Sequence, residues 1–205
     1  LASSAASDVY KRQGRTQLHH KGKLVIGVEN TPTVIFDLMQ FLVIDLGGVV
    51  GQIGMGQHGT AFAHAGMRMG PAICYEGLYG DFYGDFVRRG AQFMAIISND
   101  GWWGDTPGYK HLFTISRLRA IEHRRAIARS ANTGMSGFIS ARGDIGETLG
   151  WEKRGVISAA VPLNSELTFY TRYGDYLGRI SEYLTLLCVL YYIAYRVKRK
   201  NYLVK

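Results

Sequence analysis

FMAIISNDGWWG, residues 93–104, is the stretch on which the reading of this chain turns. Its first half, residues 93–98, is a continuous apolar run of strand length, the pattern of a strand buried on both faces. Its second half carries Asn, Asp and two glycines around paired tryptophans, so it reads as a loop leaving the C-terminal end of that strand. Working upstream, residues 71–74 form a second short apolar segment that ends at Cys74, followed by a helix running through residues 86–89. Residues 60–65 read as a further strand. The glycine-rich GGVVGQIGMGQHG, residues 47–59, is a loop, residues 34–46 a helix, and residues 18–28 a short strand and turn.

Downstream, residues 110–132 contain neither Gly nor Pro. Leu112, Ile115, Leu118 and Ile121 recur there at threefold spacing, so the whole segment reads as one helix with its arginines facing outward. Residues 138–140 and 155–161 read as strands, with a hairpin around ARGD at 141–144. Buried strands alternating with helices predict an α/β or layered αββα architecture.

Composition bounds the function. The chain has 205 residues, 47% hydrophobic and 20% charged, enough for one domain of the usual ~100–200 residues and too apolar for a disordered chain. Its 26 glycines come without a triplet period and with only four prolines, which excludes collagen and predicts tight turns. Two cysteines, Cys74 and Cys188, are too few for a disulfide framework, and no Cys/His spacing reads as a zinc site; neither a metal nor a cofactor is expected. The net charge of +8 is concentrated: +5 lies in the last ten residues and +4 between Thr114 and Ser130, and the remainder carries −1. That is unlike the broad basic face of a nucleic-acid binder, so nucleic acid is not an expected partner.

The C-terminal charge follows YLTLLCVLYYIAY, residues 183–195, which reaches membrane-spanning length only with its flanks. A run of about 10–14 apolar residues often belongs to a buried helix. Tyrosines at both ends and the RVKRK that follows favour instead a span with its C-terminus in the cytoplasm. At the other end, the chain does not begin with Met, and DVYKRQ at 8–13 looks like translated adapter sequence, so residues 1–16 read as a non-native leader.

Cys74 is the first candidate for chemistry. A nucleophile at a strand-to-helix turn gains exposure and backbone N–H groups for an oxyanion, although this segment alone reads more readily as a buried small hydrophobe. Lys21 and Glu29, in HHKGKLVIGVE at 19–29, are locally a solvated strand end. They gain meaning if they converge with Cys74, because a thiol of ordinary pKa about 8.5 needs a nearby cation or base.

Three motifs then occur in a familiar order. HHKGKLVIGVE resembles the lysine motif of the nitrilase, or carbon–nitrogen hydrolase, superfamily; ICYEG at 73–77 resembles its cysteine motif; SNDGWWGD at 98–105 resembles its asparagine-containing loop. Within that superfamily, the CYE triplet, RLRAIEHRRAIARSANTG at 117–134 and the apolar C-terminal helix with its basic tail resemble the bacterial apolipoprotein N-acyltransferases. The resemblance implies an incomplete, C-terminal half of a nitrilase-like αββα layered sandwich followed by one transmembrane helix. The expected organisation is a leader at 1–16, catalytic domain at 17–176, span at 177–197 and basic cytoplasmic tail at 198–205.

The resemblance further implies Cys74 as nucleophile and Lys21 as the lysine of a Glu-Lys-Cys triad. Glu29 and Glu76 match supporting carboxylates, and Tyr75, Asn99 and Trp102 match pocket positions. Lys21 and the N–H of Tyr75 would form the oxyanion hole. Ile26, where a proline is usual, and Lys23, where many relatives have histidine, depart from the pattern. The triad's glutamate belongs upstream of the lysine motif, and no Glu precedes Lys21; the chain alone is therefore expected to be inactive.

The implied activity is transfer of a phospholipid acyl chain, through a thioester on Cys74, to the N-terminal diacylglyceryl-cysteine of a lipoprotein. It would occur at the bacterial inner membrane with the domain facing the periplasm. The rival readings are a soluble amidase of the same superfamily and an inactive membrane-anchored fragment. The remaining residues of note take structural readings: His19 and His20 at a strand edge, His58 and His64 on loops or surface, Trp103 and Trp151 in packing, and Ser130, Asn132 and Gly134 of RSANTG in the pocket wall.

Overall fold

The apolar run at 93–98 is the third strand of a six-stranded mixed sheet in a computed structural model that describes residues 17–25 and 56–203. The strands, in spatial and chain order, are β1 (Phe62–His64), β2 (Met67–Ile73), β3 (Phe93–Ser98), β4 (Ile127–Ala131), β5 (Ser136–Ile139) and β6 (Ile145–Leu149). β2, β3 and β4 run parallel, while β1, β5 and β6 join antiparallel at the two sides. The parallel pairs are joined by crossover helices, α1 (Gly80–Arg88) between β2 and β3 and α2 (Pro107–His123) between β3 and β4, as parallel pairing requires.

Both helices bury their apolar sides on one face of the sheet. Tyr83, Phe86 and Val87 of α1 and Phe113 and Ala120 of α2 join Ala72, Met94, Ile96, Ile127 and Ile139 in a single cluster. Each such large side chain contributes roughly 1.5–3 kcal/mol by leaving water. On β3, coverage is consequently one-sided: Met94, Ile96 and Ser98 are buried, but Ile97, on the opposite face, is 47% exposed. The apolar run is a strand, as expected, with one face less fully covered among the described residues.

The segment read as one helix from 110 to 132 is in fact a helix, a turn and a strand. Thr106 caps α2 by accepting from the Gly108 N–H at 3.3 Å, and Pro107 fits the first helical position, where no N–H is needed. The helix ends because Arg124 adopts a left-handed conformation, φ 50° and ψ 47°, and because buried Arg125 bonds the last helical carbonyl, that of His123, and pins the exit to carbonyls elsewhere. Its guanidinium donates to Ala91 O at 2.7 Å, Glu166 O at 2.9 Å, and His123 O and Arg124 O at 3.2 Å. A side chain thereby does what Gly or Pro usually signals. The outward-facing arginines are also corrected: Arg119, Arg125 and Arg129 are buried, whereas Leu118 and Ile121 are exposed.

The hairpin around 141–144 forms, but its second strand is Ile145–Leu149. Residues 155–161 are not a strand; Val156 is 96% exposed and no described strand lies beside it to satisfy the backbone. The expectations for residues 1–16, 34–46 and most of 47–59 fall outside the described residues.

A short helix, α3 (Phe169–Tyr173), then docks on α1 and α2. Thr171 is fully buried, shares a hydrogen bond with His123 Nδ1 at 2.8 Å, and its carbonyl accepts from Arg88 at 2.9 Å. Burial, reinforced by the neighbouring Arg119 cation, lowers the His123 pKa to about 3, so the ring is neutral. Gly174, with φ 67°, breaks the chain away, and α4 (Tyr176–Leu203) projects with its described apolar side chains in solvent. Among the described residues, the stretch from Tyr176 to Arg196 is the one helix long and apolar enough to cross a membrane.

Candidate active site

In-register pairing of three parallel strands builds the site. Ile73 pairs with Ile97, and Ile97 with Ser130, so the segments leaving β2, β3 and β4 emerge at one edge. They deliver Cys74, Asn99 with Asp100, and Asn132. This edge, at the C-terminal ends of parallel strands, is where open α/β sheets commonly place ligands.

Cys74 is the first residue of a 3-10 turn, Cys74–Leu78, and has φ 49°. A non-glycine residue in this region is uncommon and is typically held there by its surroundings, frequently at functional sites. The thiol is free and half-buried. What holds the turn is Glu76. Its carboxylate is fully buried and accepts from the Ile73 N–H at 2.7 Å, the residue before the cysteine, and from the Gly22 N–H at 2.6 Å, the residue after Lys21. One carboxylate thus fastens the cysteine turn to the lysine segment, with charge-assisted bonds stronger than neutral ones.

His19 completes this clasp, and the strand-edge reading of it is corrected. Its ring is fully buried, donates from Nε2 to Glu76 at 3.1 Å, and packs edge-on against Phe86 with 5.0 Å between centroids. Gly22 is needed at its position because a Cβ there would overlap the Phe82 ring and the Gly56 carbonyl. Lys21 is 2% exposed, and its carbonyl accepts from Gly56 N–H at 3.0 Å. His20, His58 and His64 are exposed, as expected.

The loop after β3 divides its two polar residues between surface and interior. Asn99 is exposed, accepting from Asn132 Nδ2 at 2.6 Å and from the Gly101 N–H at 3.2 Å. Asp100 is fully buried beneath it and binds the buried Arg129 guanidinium through contacts of 3.0, 3.1 and 3.3 Å. Ser98 Oγ donates to the same carboxylate at 2.5 Å, and the Asp100 N–H donates to Asn132 at 3.1 Å. Gly134 lies so close to this carboxylate that a Cβ would overlap it. Burial pulls the Arg129 pKa down, and Asp100, with Cys74 after it, opposes that pull.

Lys21, Cys74 and Glu76 are therefore brought together through the clasp, and Asn99 joins the same edge through Asn132. Tyr75 is half-buried and packs edge-on against Tyr79 with centroids 5.6 Å apart. Trp102 is 54% exposed on the loop. Trp151 packs on Tyr109 at 4.9 Å, as expected, but Trp103 is 41% exposed. Glu29 falls outside the described residues. Asp100, Arg129 and His19 were not anticipated; alternation of Ile127, Arg129 and Ala131 on one strand face was the available signal for Arg129, masked by reading the segment as helix.

The family model for carbon–nitrogen hydrolases matches residues 7–167. The chain is 36% identical over 179 residues to the apolipoprotein N-acyltransferase of Chlorobaculum tepidum, covering 85% of this chain and 34% of that protein. It is 42% identical over 97 residues to the enzyme of that name from Rhizobium meliloti, covering 47% and 18%. The chain thus spans about a third or less of the length of these curated relatives. Among solved structures it is similar to a mutant of the Nesterenkonia AN1 amidase from the nitrilase superfamily, at 15% identity, 68% and 49% coverage and a TM-score of 0.47, a likeness too slight to bear on function. With the mixed sheet, the lysine, cysteine and asparagine motifs at one edge, and a family match over most of its length, the chain belongs to the carbon–nitrogen hydrolase family.

Proposed function

We propose that this chain carries the acyl-transfer site of an apolipoprotein N-acyltransferase, with Cys74 as nucleophile. The observation that supports this most is the buried Glu76 carboxylate, which ties the cysteine turn to the Lys21 segment. The apolar helix α4, whose stretch from Tyr176 to Arg196 is of spanning length and is not docked on the domain, supports a lipid-facing enzyme.

In the proposed reaction, the Cys74 thiolate attacks the ester carbonyl of a phospholipid. The C–S bond forms, the negative charge passes to the carbonyl oxygen, and collapse breaks the C–O bond, releasing a lysophospholipid once its alkoxide is protonated. The α-amine of a diacylglyceryl-cysteine then attacks the thioester, forming an amide, losing a proton and returning the thiolate. Lys21 and the Tyr75 N–H stabilise the two oxyanions. Asn99 and Trp102 line the approach. No cofactor takes part.

The proposed organisation places the catalytic domain at 17–176, facing the periplasm, the span at 177–197 in the inner membrane and the basic tail at 198–205 in the cytoplasm. With no Glu before Lys21, the chain alone is expected to give no turnover on phospholipid. An activated donor with a good leaving group bypasses that need. Incubation in detergent with a long-chain p-nitrophenyl ester should leave an acyl thioester on Cys74, found by mass spectrometry and absent in Cys74→Ala. Preference for a short-chain ester with hydrolysis of small amides would favour an amidase, and no adduct at Cys74 would overturn the assignment.

A further inference from the structure

Resting on the reading of Cys74 as nucleophile, we infer that Arg129 and Asp100 form a charge-compensated positioning pair behind it: Arg129 holds a fixed cation toward the thiol, and Asp100 both anchors that cation and moderates it. Two observations and one general argument carry this. The guanidinium is buried on β4, one residue before the position level with Ile97 and hence with the strand end that delivers Cys74. Its hydrogen bonds run to Asp100 and, at 3.2 Å, to the Met135 carbonyl, so it cannot swing away from the sheet edge. A buried ion pair is weak evidence for stability, since replacing it with apolar residues is often neutral, which leaves its position at the site to be explained.

The pair also joins the two loops that flank the thiol. Asp100 is tied to Ser98 and, through its backbone, to Asn132, and Asn132 holds Asn99. Among the described residues, the buried charged groups on the segments that meet at Cys74 are Lys21 and Glu76 on the side of the N-terminal segment and 3-10 turn, and Arg129 with Asp100 on the side of β3 and β4. A fixed cation there favours the thiolate and the oxyanion that follows it. A fully compensated one would do little, and an uncompensated one would hold the thiolate too tightly for it to leave in the second transfer.

The two members should therefore act with opposite sign, which a merely structural role would not produce. The test is the rate of alkylation of Cys74 by iodoacetamide, a neutral reagent, at pH 7 in the full chain in detergent, with Cys188 of the same molecule as internal reference. Arg129→Met should slow Cys74 on the order of tenfold, the scale of one nearby charge at an effective dielectric of about 20. Asp100→Asn, which keeps an acceptor but removes the compensating charge, should accelerate it by several-fold. Arg129→Lys should remain within about threefold of wild type, because charge is the property required.

Circular dichroism melts identify any variant that fails to fold, and the lysine and asparagine variants keep the test decisive if the methionine variant does. Rates that move the same way in Arg129→Met and Asp100→Asn, or an Arg129→Lys as slow as the methionine variant, would overturn the inference alone. Wild-type Cys74 labelled no faster than Cys188 would instead overturn the nucleophile assignment and this inference with it.

Discussion

Acidification should weaken the domain through one buried ring. His123 has no exposed surface, bonds Thr171 at 2.8 Å, lies beside Arg119 and has its pKa lowered from 6.5 to about 3. The unfolded chain therefore binds a proton between those values that the folded chain refuses. Stability rises with pH across this window and is lost as pH falls below the unfolded value. Between pH 7.5 and pH 5 the loss is about 1.5 units of proton affinity, or about 2 kcal/mol at ~1.4 kcal/mol per unit. Against a total of roughly 5–15 kcal/mol for ordinary domains, that is a large fraction.

Glu122, whose pKa burial raises, works in the opposite direction, because its folded form binds the extra proton. It is present in wild type and variant alike and cancels in their difference. The assay is urea unfolding followed by tryptophan fluorescence at both pH values, for wild type and for His123→Gln, whose amide can still bond Thr171. The variant should lose about 2 kcal/mol less than wild type on acidification. Equal losses in the two proteins would refute the claim that the fold excludes a charged imidazole at this position.

Glu76→Gln should cost about 1–3 kcal/mol in urea unfolding, because the amide cannot accept from both Gly22 and Ile73 as a carboxylate does; it should also reduce acyl labelling of Cys74, and an unchanged midpoint would contradict the clasp. Gly134→Ala should destabilise by roughly 1–3 kcal/mol through overlap with Asp100, whereas Gly150→Ala, where nothing lies within 4 Å of the new Cβ, should stay within about 0.5 kcal/mol. Extraction of the chain from membranes should require detergent rather than high salt, and a reporter fused after Lys205 should behave as cytoplasmic; release by salt or an externally accessible reporter would defeat the proposed topology.

Local signals were sufficient wherever they acted alone. The apolar run at 93–98, the loop at 99–104, the turn at 141–144 and the long C-terminal helix follow from short-range hydrophobicity and turn chemistry, and each is present in the structure. Cys74 at the end of a strand was equally legible, as was the order of the three motifs. Where a long-range contact replaces a local signal, the reading goes astray. Nothing near residue 124 announces a helix end, because the left-handed Arg124 is held by an Arg125 side chain that bonds His123 O at the helix end and is itself anchored on distant carbonyls at Ala91 and Glu166. Residues 155–161 have the composition of a strand, but a strand exists only where another edge meets it, and β6 at Ile145–Leu149 took that role in the hairpin.

The same division runs through the site. From the sequence alone came the family, the sheet-and-helix class, the nucleophile candidate, the lysine and the terminal apolar helix, because each rests on residues adjacent in the chain. Only the tertiary structure decided that Glu76 fastens Gly22 to Ile73 across more than fifty residues, that His19 is a buried member of that clasp, and that Arg129 belongs under the Asp100 loop rather than on a solvated helix face. The physical reason is that a buried charge is tolerable only with its partner. The partner of each of these groups lies on another element, and strand register, which no local pattern records, brings the two together.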